Sequence, residues 1–176
     1  MRMAVACLLL VILSGSACYP GRLPQCKRFA SFTSRQEKED YFVSLPPKER
    51  IDTYFCTTAY RPFYVLAYSW RVLLAEGGEE IVYHLFDHLK NNPGQEELMF
   101  GVLDTMRSYG YYDFNLLDLS VVVELEELSE QLKETDYERH RALNRGLIGL
   151  KMAIGLDVNR PVKDAIPAIE ERGKDN

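Results

Sequence analysis

Two histidines and a glutamate have the spacing best suited to metal chemistry. His84 and His88 stand four positions apart, and Glu80 precedes them by one turn, so all three side chains project along one edge of a predicted helix. This spacing suits zinc and would support metal-dependent hydrolysis. Tyr83 and Leu85 flank His84, whereas the zincin motif H-E-x-x-H places a glutamate there. The alternative is two partly exposed histidines bonded to water, and we expect neither metal nor other cofactor.

Aromatic residues are concentrated in two segments, seven between positions 54 and 70 and four between 109 and 114. Tyrosine and arginine provide large rigid contact areas and planar hydrogen bonding, which makes them common at binding surfaces. In a compact helical domain their polar groups can instead connect neighbouring helices. We predict that the two segments contribute to one binding surface. Its members are Tyr64, Tyr68, Arg71, Tyr111 and Tyr112.

Charged residues provide two further patterns. The helix predicted at about residues 116–134 is rich in glutamate and precedes a basic stretch, so an antiparallel hairpin could place opposite charges in register. Exposed pairs contribute about 0–1 kcal/mol each, so a solvated face is the expected role. The glutamates are Glu124, Glu126, Glu127 and Glu130, and the basic residues are Arg139, His140, Arg141 and Arg145. Four aspartates that could supply paired carboxylates for glycoside hydrolysis are Asp87, Asp104, Asp113 and Asp118.

Helix signals begin with Ser34 and Glu37, which fit a capping box at the start of the first predicted helix. Pro46-Pro47 opens the second helix. The third follows Arg61-Pro62 and ends at Ala75, before a pair of glycines. Because its apolar residues point nearly all round, we place this third helix at the centre of the domain.

Four more helices are predicted, over residues 79–90, 95–109, 116–134 and from 135–136 onward. The inward face of the sixth consists of Leu117, Val121, Leu125, Leu128 and Leu132, and that of the seventh of Leu143, Leu147, Leu150 and Ile154. The only β-branched cluster, at 121–123, lies inside this helical period. The sequence therefore predicts an all-α fold of about seven helices in stacked antiparallel hairpins, either a bundle or a short HEAT-like α-solenoid.

The N-terminus has the pattern of a secretory signal. Arg2 precedes an apolar run from Ala4 to Leu13, which is shorter than the roughly 20 residues that span a bilayer. Small residues, Gly15, Ser16 and Ala17, then precede Cys18. Signal peptidases require such narrow side chains just before the cleaved bond.

Residues 2–18 resemble the lipobox of bacterial lipoproteins, although Gly15 stands where that motif usually has leucine. The resemblance implies cleavage after Ala17 and attachment of diacylglyceryl to the sulfur of Cys18. Tyr19 follows the cysteine, where lipoproteins retained in the inner membrane often have aspartate. The resemblance therefore favours an outer-membrane anchor, with the domain facing the periplasm.

The cysteine count is consistent with export. Cys7 would leave with the signal peptide, and if Cys18 carries lipid, Cys26 and Cys56 are an even pair in an oxidising compartment. A disulfide closing this loop of about thirty residues would contribute roughly 3 kcal/mol. The alternative is removal of the signal by ordinary peptidase, which leaves one thiol unpaired.

The predicted organisation is a signal peptide at 1–17, a tether at 18–30, a helical domain at 31–156 and a loosely ordered tail at 157–176. Pro20, Gly21 and Pro24 interrupt regular structure at the start of the tether. The mature chain would carry 20 basic and 26 acidic residues, a balance that argues against nucleic acid and against a polybasic membrane patch. We predict a non-enzymatic envelope lipoprotein that binds a protein or envelope component, as an immunity or adaptor protein does. The alternative is a periplasmic zinc-dependent hydrolase of peptidoglycan or peptide.

Overall fold

The computed structural model describes residues 23–59 and 64–166. Within these ranges, the side chains of residues 56–59 and 64–68 are outside the described set. Over these residues the protein contains eight α-helices and two short 3-10 turns, without a strand, which confirms the predicted all-α class. The chain divides into two compact units, one ending at Phe63 and the other beginning at Tyr64. In the described parts of both units, every helix is too short or too polar to cross a bilayer.

The N-terminal unit contains α1 (Pro24–Ser31), α2 (Arg35–Ser44) and α3 (Pro47–Ala59). Each of these helices packs against the other two. The rings of Phe29 and Phe42 meet edge to face, 6.5 Å apart. Ser34 and Glu37 form the predicted capping box, and α2 ends just before the Pro46-Pro47 pair.

Helix α1 occupies a segment that the sequence analysis treated as irregular. Pro24 lies in the first turn of this helix, where a missing N–H group breaks no hydrogen bond. The apolar side of α1 then buries Cys26 and Phe29. The expectation of an irregular segment was therefore wrong from Pro24 onward, and residues 18–22 lie outside the described part of the chain.

The C-terminal unit contains α4 (Tyr64–Ala75), α5 (Glu79–Asn91), α6 (Glu96–Tyr109), α7 (Leu119–Leu132) and α8 (Tyr137–Ala153). Helices α4, α6 and α8 pack successively side by side, while α5 packs against α7. Helices α4, α6 and α8 thus form one layer, and α5 and α7 form a second. The layers are joined by packing of α5 against α6 and of α7 against α8. The two 3-10 turns lie at Phe114–Leu116 and Val162–Asp164. This layered packing agrees with the predicted stacked hairpins.

The central helix of the C-terminal unit is α6. It contacts α4, α5 and α8 and buries Met99, Val102 and Met106. The sequence analysis placed α4 at the centre, but Val72 and Leu73 on that helix are only half-buried. An apolar pattern around a helix does not specify which sides will have neighbours, so that expectation was wrong.

The buried side of α7 overlaps the predicted face only in part, at Leu125. Val122, Leu125 and Ser129 are buried, whereas Val121 and Leu128 are half-buried. The reason is that α7 packs against α5, α8 and the second 3-10 turn, which together surround more than one side of the helix. On α8, the predicted inward leucines at 143, 147 and 150 are all buried, and Ile154 is half-buried beyond the helix end.

The segment after α8 is held against the helices. Val162 is 1% exposed, and its N–H group donates to Oε2 of Glu126 at 2.7 Å. Lys151 pairs with the same carboxylate, and its Nζ donates to the backbone oxygen of Arg160 at 2.8 Å. The prediction of a loosely ordered tail was therefore wrong for residues 157–166. Residues 167–176 lie outside the described part of the chain.

Candidate binding site

Helix α6 ends in a glycine turn that redirects the chain. Gly110 has φ 68° and ψ 26°, a left-handed conformation that glycine adopts without steric cost. The N–H groups of Gly110 and Tyr111 donate to the oxygens of Arg107 and Met106 respectively, which satisfies carbonyls left free at a helix end. The turn therefore brings the tyrosines on either side of Gly110 close together.

Tyr109 and Tyr111 form a stacked pair. Their ring planes differ by 9°, and their centroids lie 5.7 Å apart. Tyr109 is 54% exposed, while the hydroxyl of Tyr111 donates to Oε1 of Glu76 at 3.3 Å. That contact connects the loop to the turn between α4 and α5, so the stack is supported on one side and accessible on the other.

Two further aromatic residues extend this surface inward. Tyr112 packs edge to face on Phe114, with centroids 5.1 Å apart, and Phe114 is buried. Tyr112 also lies beside Tyr83 of α5, which is 37% exposed. We call this surface the aromatic edge; it consists of Tyr83, Tyr109, Tyr111, Tyr112 and Phe114.

Carboxylates surround the aromatic edge and affect its hydroxyl groups. Burial raises the pKa of Tyr112 well above its ordinary value, and nearby Tyr83, Glu79 and Asp113 raise it further. The pKa of Tyr111 is raised by loss of solvent contact and then by Glu76. Both hydroxyls therefore stay neutral at physiological pH, and the carboxylates provide the negative charge of the surface.

These shifts predict a late step in an alkaline titration. We expect Tyr112→Phe to remove a tyrosinate absorbance change that occurs above the ordinary tyrosine pKa of 10.0. Because the folded state keeps this proton longer than the unfolded state, the free energy of unfolding is unaffected by the group below pH 10 and falls as the pH rises beyond it. The variant should lose stability less steeply in that range. An unchanged late step in the variant would contradict the assignment.

A groove of about 460 Å³ lies between α6 and α8 and reaches the aromatic edge at Phe114. Small residues line its α8 side at intervals of four, three and four positions: Ala142, Gly146, Gly149 and Ala153. A Cβ at Gly146 would lie 2.0 Å from the ring of Phe100, whereas a Cβ at Gly149 would meet no atom within 4 Å. The glycine at 146 therefore makes room for Phe100, and position 149 is open.

The charged residues of the groove are paired with each other. Arg145 contacts Glu97 at 3.1 Å, and Arg107 contacts Asp104 at 2.6 Å. Each pair is well exposed, so neither contributes much stability. The groove therefore carries no net charge, in contrast to the aromatic edge.

The described side chains include only part of the predicted binding surface. Tyr111 and Tyr112 lie together in the aromatic edge, next to Glu76 just beyond the end of α4. Tyr64 and Tyr68 belong to the first turns of α4, about 18 and 12 Å from that end at 1.5 Å per residue, and their side chains lie outside the described set. The predicted single surface, which includes these two side chains, therefore stays a prediction.

Arg71, the fifth residue of the predicted surface, packs against α6. A Cβ at Gly101 would lie 3.2 Å from the guanidinium carbon of Arg71. The missing side chain at Gly101 thus provides space for the guanidinium. This contact explains Arg71 as a link between α4 and α6.

The candidate zinc ligands are not grouped as a metal site. His84 is exposed, and Nε2 of His88 lies 2.6 Å from the amide oxygen of Gln95. Among residues 23–59 and 64–166, His, Cys, Asp and Glu side chains form no cluster of three or more that could hold a metal ion. In the described ranges, the fold therefore does not bring further ligands to Glu80, His84 and His88.

The basic residues of α8 have other partners than the sequence analysis expected. Arg139 contacts Glu96 at 2.8 Å, and Arg145 contacts Glu97, so both pair with α6 rather than with α7. Nδ1 of His140 lies 2.8 Å from the backbone oxygen of Ser129, which connects α8 to α7 without an ion pair. Glu124, Glu127 and Glu130 on α7 are exposed, as expected for a solvated face, and an ion pair between Glu126 and Lys151 joins α7 to α8.

The four aspartates considered for glycoside chemistry have local structural roles. Asp113 and Asp118 accept the backbone N–H groups two residues ahead of them, at 3.0 and 2.9 Å. Asp87 accepts the side-chain amide of Asn91 at 3.1 Å, and Asp104 binds Arg107. These contacts explain the aspartates as helix caps and surface pairs.

Two parts of the site were missed by the sequence analysis. Tyr83 stands one turn after Glu79 on the polar side of α5, and a large aromatic residue at such a position is a detectable signal. The small residues of α8 recur on one helical face, which could also have indicated a groove.

No family model, curated protein or solved structure matches the chain.

Proposed function

We propose that this protein is a non-enzymatic, lipid-anchored component of the bacterial envelope that binds another protein through the aromatic edge, in the manner of an immunity or adaptor protein. The stacked pair of Tyr109 and Tyr111 carries the proposal. Its outer ring is exposed although tyrosine rings gain free energy on burial. The Gly110 turn and the contact with Glu76 hold the pair in position, so little conformational entropy would be lost on binding.

Binding is favoured over catalysis by how the other polar residues are used. The aspartates cap helices or pair with neighbours, and the histidines at 84 and 88 do not join a metal-ligand cluster in the described ranges. The aromatic edge, in contrast, combines accessible aromatic area with carboxylates. Tyrosine is among the residues that contribute most to binding energy at protein interfaces.

The test compares Tyr109→Ala with Tyr137→Ala. Tyr137, at the start of α8, is 62% exposed and lies outside the aromatic edge, so its loss provides a matched control. After cross-linking in cells, we expect Tyr109→Ala to reduce partner recovery by about tenfold or more, as for a central interface tyrosine, and Tyr137→Ala to retain it. Equal recovery with both variants would contradict the proposal.

The proposed lipid anchor rests on the lipobox-like segment, which lies outside the described residues. We expect Cys18→Ser to move the protein from the outer-membrane fraction to the soluble periplasm, because an unlipidated mature chain lacks the acyl chains that hold it. Cell fractionation measures this change, and mass spectrometry of the N-terminal peptide identifies the lipid. Retention of Cys18→Ser in the membrane would contradict lipid attachment at this residue.

We also propose the disulfide between Cys26 and Cys56. The Sγ atom of Cys26 is buried and lies 3.9 Å from the backbone oxygen of Asp52 on α3. In an α-helix that oxygen accepts the N–H group four residues ahead, so position 56 lies one turn further along α3 from Asp52. Mass spectrometry without reduction should detect the linked peptides, and reduction should lower the free energy of unfolding by about 3 kcal/mol. Free thiols at both positions would exclude the bond.

A further inference from the structure

We infer that the partner presents arginine or lysine side chains to the aromatic edge, an inference that rests on the proposed function. The edge combines an exposed tyrosine ring with carboxylates on two adjoining segments. Glu76 lies beside Tyr111, and Glu79 and Asp113 lie beside Tyr112. The accessible surface is therefore both aromatic and negatively charged.

This negative charge is not neutralised locally. Within the described residues, Glu76, Glu79 and Asp113 take part in no ion pair. Arg107, one turn before Gly110, is paired with Asp104. Residues 64–176 contain 21 acidic and 12 basic residues, so the charge of the whole C-terminal unit has the same sign as that of the edge.

A cationic side chain complements both properties of this surface. A guanidinium or ammonium group is attracted to a tyrosine ring face within about 6 Å, and it can donate charged hydrogen bonds to a nearby carboxylate. Phosphate groups and anionic lipid headgroups would be repelled by the same carboxylates. The charge complementarity therefore selects a basic segment of a protein as the occupant.

The experiment uses the mature chain with Cys18→Ser, which leaves the aromatic edge unchanged. Two synthetic peptides of equal length serve as probes. The first alternates arginine with serine, and the second has glutamine in place of every arginine. We expect saturable binding of the arginine peptide in calorimetry and none of the glutamine peptide. Binding of both with equal affinity, or of neither, would overturn the inference.

Three variants then locate the binding. Tyr109→Ala and the double variant Glu76→Gln/Glu79→Gln should each weaken arginine-peptide binding by about threefold or more, as expected for exposed cation–π and ionic contacts. Glu138→Gln removes an exposed carboxylate at the start of α8, next to Arg139 and thus near the opposite end of α6. The Glu138→Gln variant should increase the dissociation constant of the arginine peptide by less than half the factor seen for the edge variants. Equal effects of the edge and control variants would indicate diffuse attraction and overturn the inference.

Competition separates this inference from the proposed function. We expect the arginine peptide, added before cross-linking, to reduce recovery of the native partner, whereas the glutamine peptide should not. If Tyr109→Ala loses the partner but the arginine peptide fails to compete, the cationic contact is excluded and the binding surface stands. If Tyr109→Ala retains the partner, the proposed function itself fails.

Discussion

Replacing Arg139 by alanine is expected to lower the free energy of unfolding by about 3–5 kcal/mol, the usual cost of leaving one member of a buried ion pair unpaired. Nε of Arg139 donates to Oε1 of Glu96 at 2.8 Å. Its Nη2 donates to the backbone oxygens of Leu89 and Lys90 at 2.9 and 3.0 Å. The side chain of Glu96 is 3% exposed, so water cannot replace the lost partner.

Arg145 provides the matched control for this prediction. It lies on the same helix as Arg139 and pairs with Glu97, the neighbour of Glu96, but their side chains are 62% and 75% exposed. Arg145→Ala should therefore cost about 0–1 kcal/mol. Chemical denaturation of both variants measures the difference, and similar losses would contradict the assigned burial of the Arg139 pair.

The second large effect is expected at Lys151. Lys151→Ala should lower the free energy of unfolding by about 3 kcal/mol, because Glu126 would lose the cation that compensates its partly buried charge. The same change removes the bond from Lys151 Nζ to the oxygen of Arg160. We expect the segment at 157–166 to detach from α7 and α8, since Val162 depends on the same carboxylate.

Hydrogen exchange distinguishes local detachment from general loss of stability. The amide of Val162 should exchange faster in Lys151→Ala by a larger factor than the amides of α6. Lys133→Ala is the control, because its pair with Glu130 is exposed on both sides and its loss should change neither property. Uniformly faster exchange across the C-terminal unit would contradict a local role for Lys151.

Helix starts could be predicted from the sequence where the signal is local. Ser34 caps a helix through the backbone and side chain of Glu37, three residues ahead, and Asp136 caps α8 through the N–H group of Arg139. Pro24 shows the limit of the same rules, because proline both opens helices and interrupts them. At Pro24, the burial of Phe29 on α1 favours the helix over an irregular segment.

The partners of the buried charges could not be predicted in this way. Glu96 and Arg139 are 43 positions apart, and Glu126 and the amide of Val162 are 36 apart. Neither pair follows from helical periodicity, because each depends on which helices become neighbours. The same reason explains why α6 rather than α4 is central, and why the buried side of α7 differs in part from the predicted face.

The site was predicted in part. The aromatic segment after α6 was identified from composition, but its geometry depends on Gly110, which orients Tyr109 and Tyr111. The contribution of Tyr83 depends on the packing of α5 against α6. Sequence composition therefore indicated the aromatic segment of the candidate site, while the fold determines which tyrosines share a surface.

The fold also supports the aromatic edge mechanically. Helix α6 is fixed at its start by the pair of Glu96 with Arg139 and along its length by buried residues such as Met99 and Met106. Its opposite end carries the Gly110 turn and the aromatic edge. A site on a rigid element keeps its geometry without the partner, which reduces the entropic cost of binding.

Photo-cross-linking in living cells tests the central claim most directly. A photoreactive phenylalanine analogue is placed at position 109 or 137 of the full chain, with the native leader and Cys18 retained. We predict one discrete protein adduct from position 109, competed by the arginine peptide, and none from position 137. Absence of an adduct at 109, or the same adducts from both positions, would contradict the aromatic edge as the binding surface.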